Sequence, residues 1–202
     1  MQKMLSLRKE GSMRYHDIEK TSMVNGEGLR CVLWVSGCNH FCKGCQNPVT
    51  WNPNDGLLFD TDAMQEIFEY CDKPYCDGLT LSGGDPMYPP NRSAIHALCR
   101  MFRTRYGQKK TIWMYTGYQF DDIKDEPVLQ YLDVIVDGEY VEELRDVHYM
   151  WAGSVNQQIW EKVDGEWTVR PPQWEEVLNN GKQDDGILAG QDGRHGPCGA
   201  DS

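Results

Sequence analysis

Three cysteines, Cys38, Cys42 and Cys45, stand on one short loop within the stretch Cys31–Trp51, just after an apolar run. Three thiolates this close can serve one metal centre. A structural zinc site takes four protein ligands, an ordinary iron–sulfur cluster takes four cysteines, and the loop holds no fourth cysteine. Three thiolates would hold three irons of a cubane and leave the fourth open, a place where something can bind and be reduced. Two other readings stay open from the residues alone. The thiols could be incidental, or His40, between the first two cysteines, could complete a zinc site.

The second candidate is Ser82-Gly83-Gly84-Asp85-Pro86. Consecutive glycines let backbone carbonyl and N–H groups approach a small zwitterionic ligand closely, although a tight strand-to-helix turn accounts for the same residues. The turn gains meaning from its place, one strand–helix unit after the cysteine loop.

The elements that must position these loops can be read from the pattern. Residues 14–30 are mixed in character, with the turn-rich Asn25-Gly26-Glu27-Gly28 leading into a strand. Arg30–Ser36, Gly78–Leu81, Thr111–Tyr115 and Leu132–Val136 are short apolar or β-branched runs, the pattern of buried parallel strands. Between them, Asp60 or Thr61 caps a helix with Met64, Ile67 and Phe68 at helical spacing. Arg92–Tyr106 is a helix with Ile95, Leu98, Cys99 and Phe102 on one face, and a short helical segment covers Asp121–Tyr131. Strand–helix alternation predicts an α/β fold with a mostly parallel sheet, and the four Gly-bearing loops after the strands fall on one edge, where such folds place active sites. Trp151–Gln158 is a polar loop. Ile159–Val163 and Glu166–Val169, joined by Asp164-Gly165, form a C-terminal β-hairpin. The predicted organisation is an N-terminal extension over 1–12, one domain over 13–178 and a disordered Gly- and Asp-rich tail over 179–202.

Composition sets bounds. The net charge of −11 over 202 residues argues against gripping a nucleic-acid backbone. No apolar run reaches the ~20 residues that span a bilayer, and no signal-peptide core is present at the N-terminus, so a cytoplasmic protein is expected. Eight cysteines in a chain of this size read as metal ligands in a reducing compartment rather than a disulfide framework. Cys31 and Cys99 are expected in the core, as are Trp34 and Trp113. Cys71 and Cys76 flank a polar loop, and Cys198 lies in the tail.

Cx3Cx2C after the first strand with GGD after the second resembles the radical S-adenosylmethionine superfamily. The match is closer to the activating proteins of anaerobic (class III) ribonucleoside-triphosphate reductases. It is carried by Val24–Gly28, Arg30-Cys31, Val35–Cys38, Cys42–Cys45, Leu81–Pro86, Trp113, Tyr115–Tyr118, Val136–Gly138 and Trp151–Gln157. Many superfamily members have an aromatic residue before the third cysteine; these activators share the glycine found here at Gly44.

The resemblance implies a partial (βα) barrel and a [4Fe–4S] cluster on Cys38, Cys42 and Cys45, with S-adenosylmethionine chelating the open iron. It places Gly83, Gly84 and Asp85 at the methionyl amino group with Ser82 nearby, and the backbone of Gly44, Cys45 and Gln46 at the adenine. Tyr115, Asp137 and Asn156 would lie near the cofactor or partner surface; each could equally be a strand-end hydrogen-bonding residue. Reductive cleavage of the cofactor would give a 5′-deoxyadenosyl radical that takes hydrogen from a glycine of the reductase large subunit. The implied partners are that subunit and a one-electron donor such as a flavodoxin. Three alternatives are an activase of another glycyl radical enzyme, a small-molecule radical enzyme, and a non-catalytic iron–sulfur or zinc module.

Overall fold

The computed structural model describes residues 13–172. The expected extension over 1–12, the end of the domain expected to reach 178, and the tail over 179–202 with Cys198 lie outside the described residues.

In chain order the elements are β1 (Arg14–Ser22), β2 (Arg30–Val35), β3 (Leu57–Leu58), α1 (Thr61–Cys71), β4 (Gly78–Gly83) and α2 (Arg92–Tyr106). They continue with β5 (Thr111–Tyr115), α3 (Phe120–Ile123), β6 (Val134–Asp137), β7 (Gln158–Val163) and β8 (Glu166–Val169). All of these strands join one sheet in the order β3-β1-β2-β4-β5-β6-β7-β8, which does not close on itself. Its middle strands β2, β4, β5 and β6 are parallel. Antiparallel strands extend it on both sides: β1 and β3 beyond β2, β7 and β8 beyond β6.

Side-chain alternation along the parallel strands separates two faces. Cys31, Leu33, Val35, Leu79, Leu81, Ile112, Met114 and Ile135 pack with Ile67, Ile95, Leu98, Cys99 and Phe102 into the core beneath α1 and α2. Asp60 caps α1, its carboxylate accepting from the N–H groups of Asp62 and Ala63 at 3.0 and 3.1 Å. Cys71 and Cys76 belong to the same core.

The opposite face carries Arg30, Thr80 and Trp113. All five guanidinium N–H groups of the fully buried Arg30 find neutral oxygens: Thr80 Oγ1 (2.7 Å), Glu27 O (3.0 Å), Thr111 Oγ1 (2.9 Å), Leu79 O (2.9 Å) and Thr111 O (3.0 Å). It lies over the Trp113 ring, 5.4 Å from the centroid. Burial pulls its pKa down to about 10, still a cation at neutral pH. Arg170, after β8, approaches Trp113 and Trp151 from the other side and pairs with Glu27 and Glu161.

Three differences from the sequence reading have physical causes. Arg14–Ser22, expected as a mixed approach, is a nine-residue strand; register shifts at Tyr15/Asp17 and Glu19/Ser22 interrupt its alternation and so hid the period of two. The helical segment over 121–131 is divided into α3 and a 3₁₀ turn over Pro127–Tyr131, with Pro127 starting the second piece. Trp34 is half-buried rather than core, because it shares the face of Arg30 and donates from Nε1 to Glu19 at 3.2 Å. The hairpin is found as expected, with Asp164 and Gly165 both at positive φ (50° and 89°), as a type I′ turn requires.

Arg30→Met removes five donors from buried oxygens while keeping much of the packing volume. Urea unfolding is expected to show a loss of about 3 kcal/mol. Arg30→Lys should recover little of it, because one ammonium cannot span the fork of acceptors.

Candidate functional site

The loops after β2, β4, β5 and β6 meet at the C-terminal ends of the parallel strands around a cavity of about 320 Å³, a size in the small-molecule range. The first loop contributes Cys38, His40, Cys42, Cys45 and Gln46, and the second Ser82, Gly83, Gly84 and Asp85. Tyr115, at the end of β5, adds to the wall, as do Thr116 and Gly117 from the third loop and Gly138 and Tyr140 from the fourth. Val24, Asn25, Trp34, Trp151 and Gln157 complete the wall.

Backbone contacts press the first two loops together. Gly37 and Cys38 donate to the carbonyls of Thr50 and Trp51 at 2.8 and 3.1 Å, closing the cysteine loop on itself. Gly84 donates to Val35 O at 2.7 Å and Asp85 to Gly37 O at 2.8 Å. Both glycines of the turn are required. Gly83 has φ +106°, with space for a Cβ only 2.5 Å from Val35 N, and a Cβ on Gly84 would collide with the carbonyls of Gly37 and Thr50.

Asp85 is fully buried and joins the loops through its side chain. Oδ1 accepts from Met87 N at 2.7 Å and from Thr116 Oγ1 at 2.9 Å; Oδ2 accepts from Gly117 N at 2.9 Å. His40 Nε2 lies 2.9 Å from the same Oδ2, and its Nδ1 lies 2.8 Å from Glu139 Oε1. Asp85 raises the His40 pKa, burial opposes that, and Glu139 adds to the rise. Both ring nitrogens of His40 face carboxylates rather than the thiols, which argues against it as the fourth ligand of a zinc site.

The three thiols share the cavity wall, yet among the described residues no three His, Cys, Asp or Glu side chains converge to hold one ion. A mononuclear zinc site needs every sulfur about 2.3 Å from a single atom. A cubane takes one thiolate per iron, so three separated sulfurs on one wall suit a cluster better. Burial pushes the thiols of Cys38 and Cys42 up, and a coordinated metal reverses that by deprotonating them. Asn47 N donates to Cys45 Sγ at 3.3 Å. The donor set and the side-chain-free turn opposite it fit a cluster with a small cofactor.

Of the expected site residues, Cys38, Cys42, Cys45, Gln46, Ser82, Gly83, Gly84, Asp85 and Tyr115 all line this cavity. Gly44, exposed and at φ +73°, is not among the residues that line it. Asp137 does not line the cavity and fits the strand-end hydrogen-bonding alternative: alternation in β6 turns Val136 to the cavity side and Asp137 away. Its buried carboxylate is taken by Phe120 N, Gln158 N and Trp160 Nε1 at 2.7, 3.1 and 3.1 Å. Asn156 is exposed and braces Glu139 O at 2.8 Å, outside the cavity wall. Its neighbour Gln157 is the residue the sequence reading missed. Gln157 lines the cavity, accepts from Gly153 N and Ser154 N, and donates to Gly138 O at 2.8 Å. A loop has no period to say which amide of Asn156-Gln157 turns inward.

Residues 24–160 match the family described as 4Fe-4S single cluster domain. The chain is also similar to proteins named anaerobic ribonucleoside-triphosphate reductase-activating protein. That of Enterobacteria phage T4 is 45% identical over 155 residues, covering 77% of this chain and 98% of the phage protein. Those of Haemophilus influenzae and Escherichia coli (strain K12) are each 40% identical over 151 and 152 residues, covering 73% of this chain and 97% of theirs.

Asp85→Ala leaves Thr116, Gly117 and Met87 without their acceptor and releases His40. Iron bound per chain after anaerobic reconstitution should fall at least about threefold, with a loss of about 2–3 kcal/mol in urea.

Proposed function

The chain belongs to the 4Fe-4S single cluster domain family and, within it, to the anaerobic ribonucleoside-triphosphate reductase-activating proteins, and we propose that it installs a glycyl radical on the large subunit of such a reductase. The observation that carries this is the meeting of three cluster-spaced thiols with the Gly83-Gly84 turn on one cavity.

In this reading Cys38, Cys42 and Cys45 hold a [4Fe–4S] cluster with one iron left open. Ser82, Gly83 and Gly84 receive the methionyl amino group of S-adenosylmethionine, and the backbone of Gly44, Cys45 and Gln46 meets the adenine. When bound, the reduced cluster and S-adenosylmethionine supply the one-electron cleavage that removes a hydrogen atom from a glycine Cα.

The chain's own residues orient and shield. The Asp85 carboxylate, saturated by Thr116, Gly117 and Met87, serves as the brace of the site rather than as a free acceptor. Trp34, Tyr115 and Trp151 give the cavity an aromatic wall that keeps water from the reacting centre. Met23 and Val24, 74% and 76% exposed, leave an apolar rim at which a protein loop can enter.

The open sheet of the described residues is read as a partial (βα) barrel whose open side admits the reductase. The outer side of the cysteine loop, with Phe41 60% exposed, is left to a one-electron donor such as a flavodoxin. A cytoplasmic setting suits this chemistry, and among the described residues no helix is long and apolar enough to cross a membrane.

The test is anaerobic. Protein reconstituted with iron and sulfide, reduced and given S-adenosylmethionine should form 5′-deoxyadenosine, and Cys42→Ala should reduce this to background. With an anaerobic reductase present, EPR should detect a glycyl radical on the large subunit. A fully loaded, reduced cluster that leaves S-adenosylmethionine intact would overturn the proposal in favour of a binding module.

A further inference from the structure

Tyr115 ends β5 beside Ser82 of β4, since Leu81 and Met114 are paired in the preceding register. Tyr115 lines the cavity, but its hydroxyl oxygen is buried and has no hydrogen-bond partner among the described residues. Buried hydroxyls are nearly always paired, and an unpaired one carries the full cost of its desolvation. The Arg30 guanidinium, the charge that acts on this hydroxyl, has committed every N–H elsewhere. Burial drives the phenol pKa well above its ordinary value, so the oxygen keeps its proton and remains a donor.

We propose that Tyr115 is a cofactor contact, its hydroxyl donating to an oxygen of S-adenosylmethionine. The assignment rests on the cofactor reading above and goes beyond it by naming the hydrogen bond that fixes the ligand from the β5 side. The contact requires the ring to turn toward the cavity it already borders. Two oxygens of the ligand share the needed chemistry, the methionyl carboxylate and a ribose hydroxyl.

The experiment is anaerobic calorimetry on the reconstituted protein and on Tyr115→Phe, with two ligands that cannot be cleaved. S-adenosylhomocysteine offers both kinds of oxygen, and 5′-methylthioadenosine only those of the ribose. The phenylalanine variant should bind S-adenosylhomocysteine about tenfold more weakly, the worth of one such hydrogen bond. Its melting temperature without ligand should be equal to or higher than that of the unaltered protein, because an unpaired hydroxyl is removed. Weakening with S-adenosylhomocysteine alone assigns the carboxylate; weakening with both ligands assigns the ribose. Unchanged affinities, or a lowered melting temperature with unchanged affinities, overturn the contact and leave the proposed function standing. Failure of the cluster-loaded, unaltered protein to bind S-adenosylhomocysteine overturns the cofactor reading and the contact with it.

Discussion

A single buried carboxylate holds the working end of this molecule together. Asp85 receives donors from its own turn and from the loop after β5, and His40 of the cysteine loop lies 2.9 Å from its Oδ2, so three separate stretches of chain meet at one carboxylate. A carboxylate with no solvent exposure is tolerable because both of its oxygens accept hydrogen bonds from the protein. The same saturation makes the geometry stiff. The cysteine loop cannot drift from the glycine turn without stranding charge in a dry interior, and the glycines permit the backbones to touch where that charge is shared.

The sheet divides its labour by side. One face buries an aliphatic and thiol core under the helices, and the other carries Arg30, Trp113 and Trp34 beneath and beside the cavity. Arg30, on β2, satisfies its donors on β4, β5 and the turn at Glu27 without a carboxylate, so the strands are tied at the end far from the chemistry. Packing and polar ties thus make the scaffold rigid independently of the loops that carry the reactive groups.

Much of this was legible in the sequence where a short-range rule applies. Parallel strands announced themselves as apolar runs, the hairpin by Asp164-Gly165, and the thiol loop by its spacing. What escaped depends on long-range register or on loops. The bulged β1 breaks the alternation that identifies a strand. Trp34 was misjudged, and the two readings of Asp137 stayed open, because one residue of register decides which side of a sheet a side chain meets. Gln157 could not be told from Asn156 because loop side chains follow hydrogen bonds that only the folded chain defines.

The His40–Glu139 contact joins positions 99 residues apart. Closing so long a segment costs chain entropy that a single exposed-edge contact does not repay, so the tie closes only once β2, β4, β5 and β6 are already side by side. The site is therefore a late product of folding, completed after the scaffold that supports it. During synthesis the cysteine loop emerges well before the residue that pins its histidine, and the thiols spend that interval on a chain whose cavity has not yet been built.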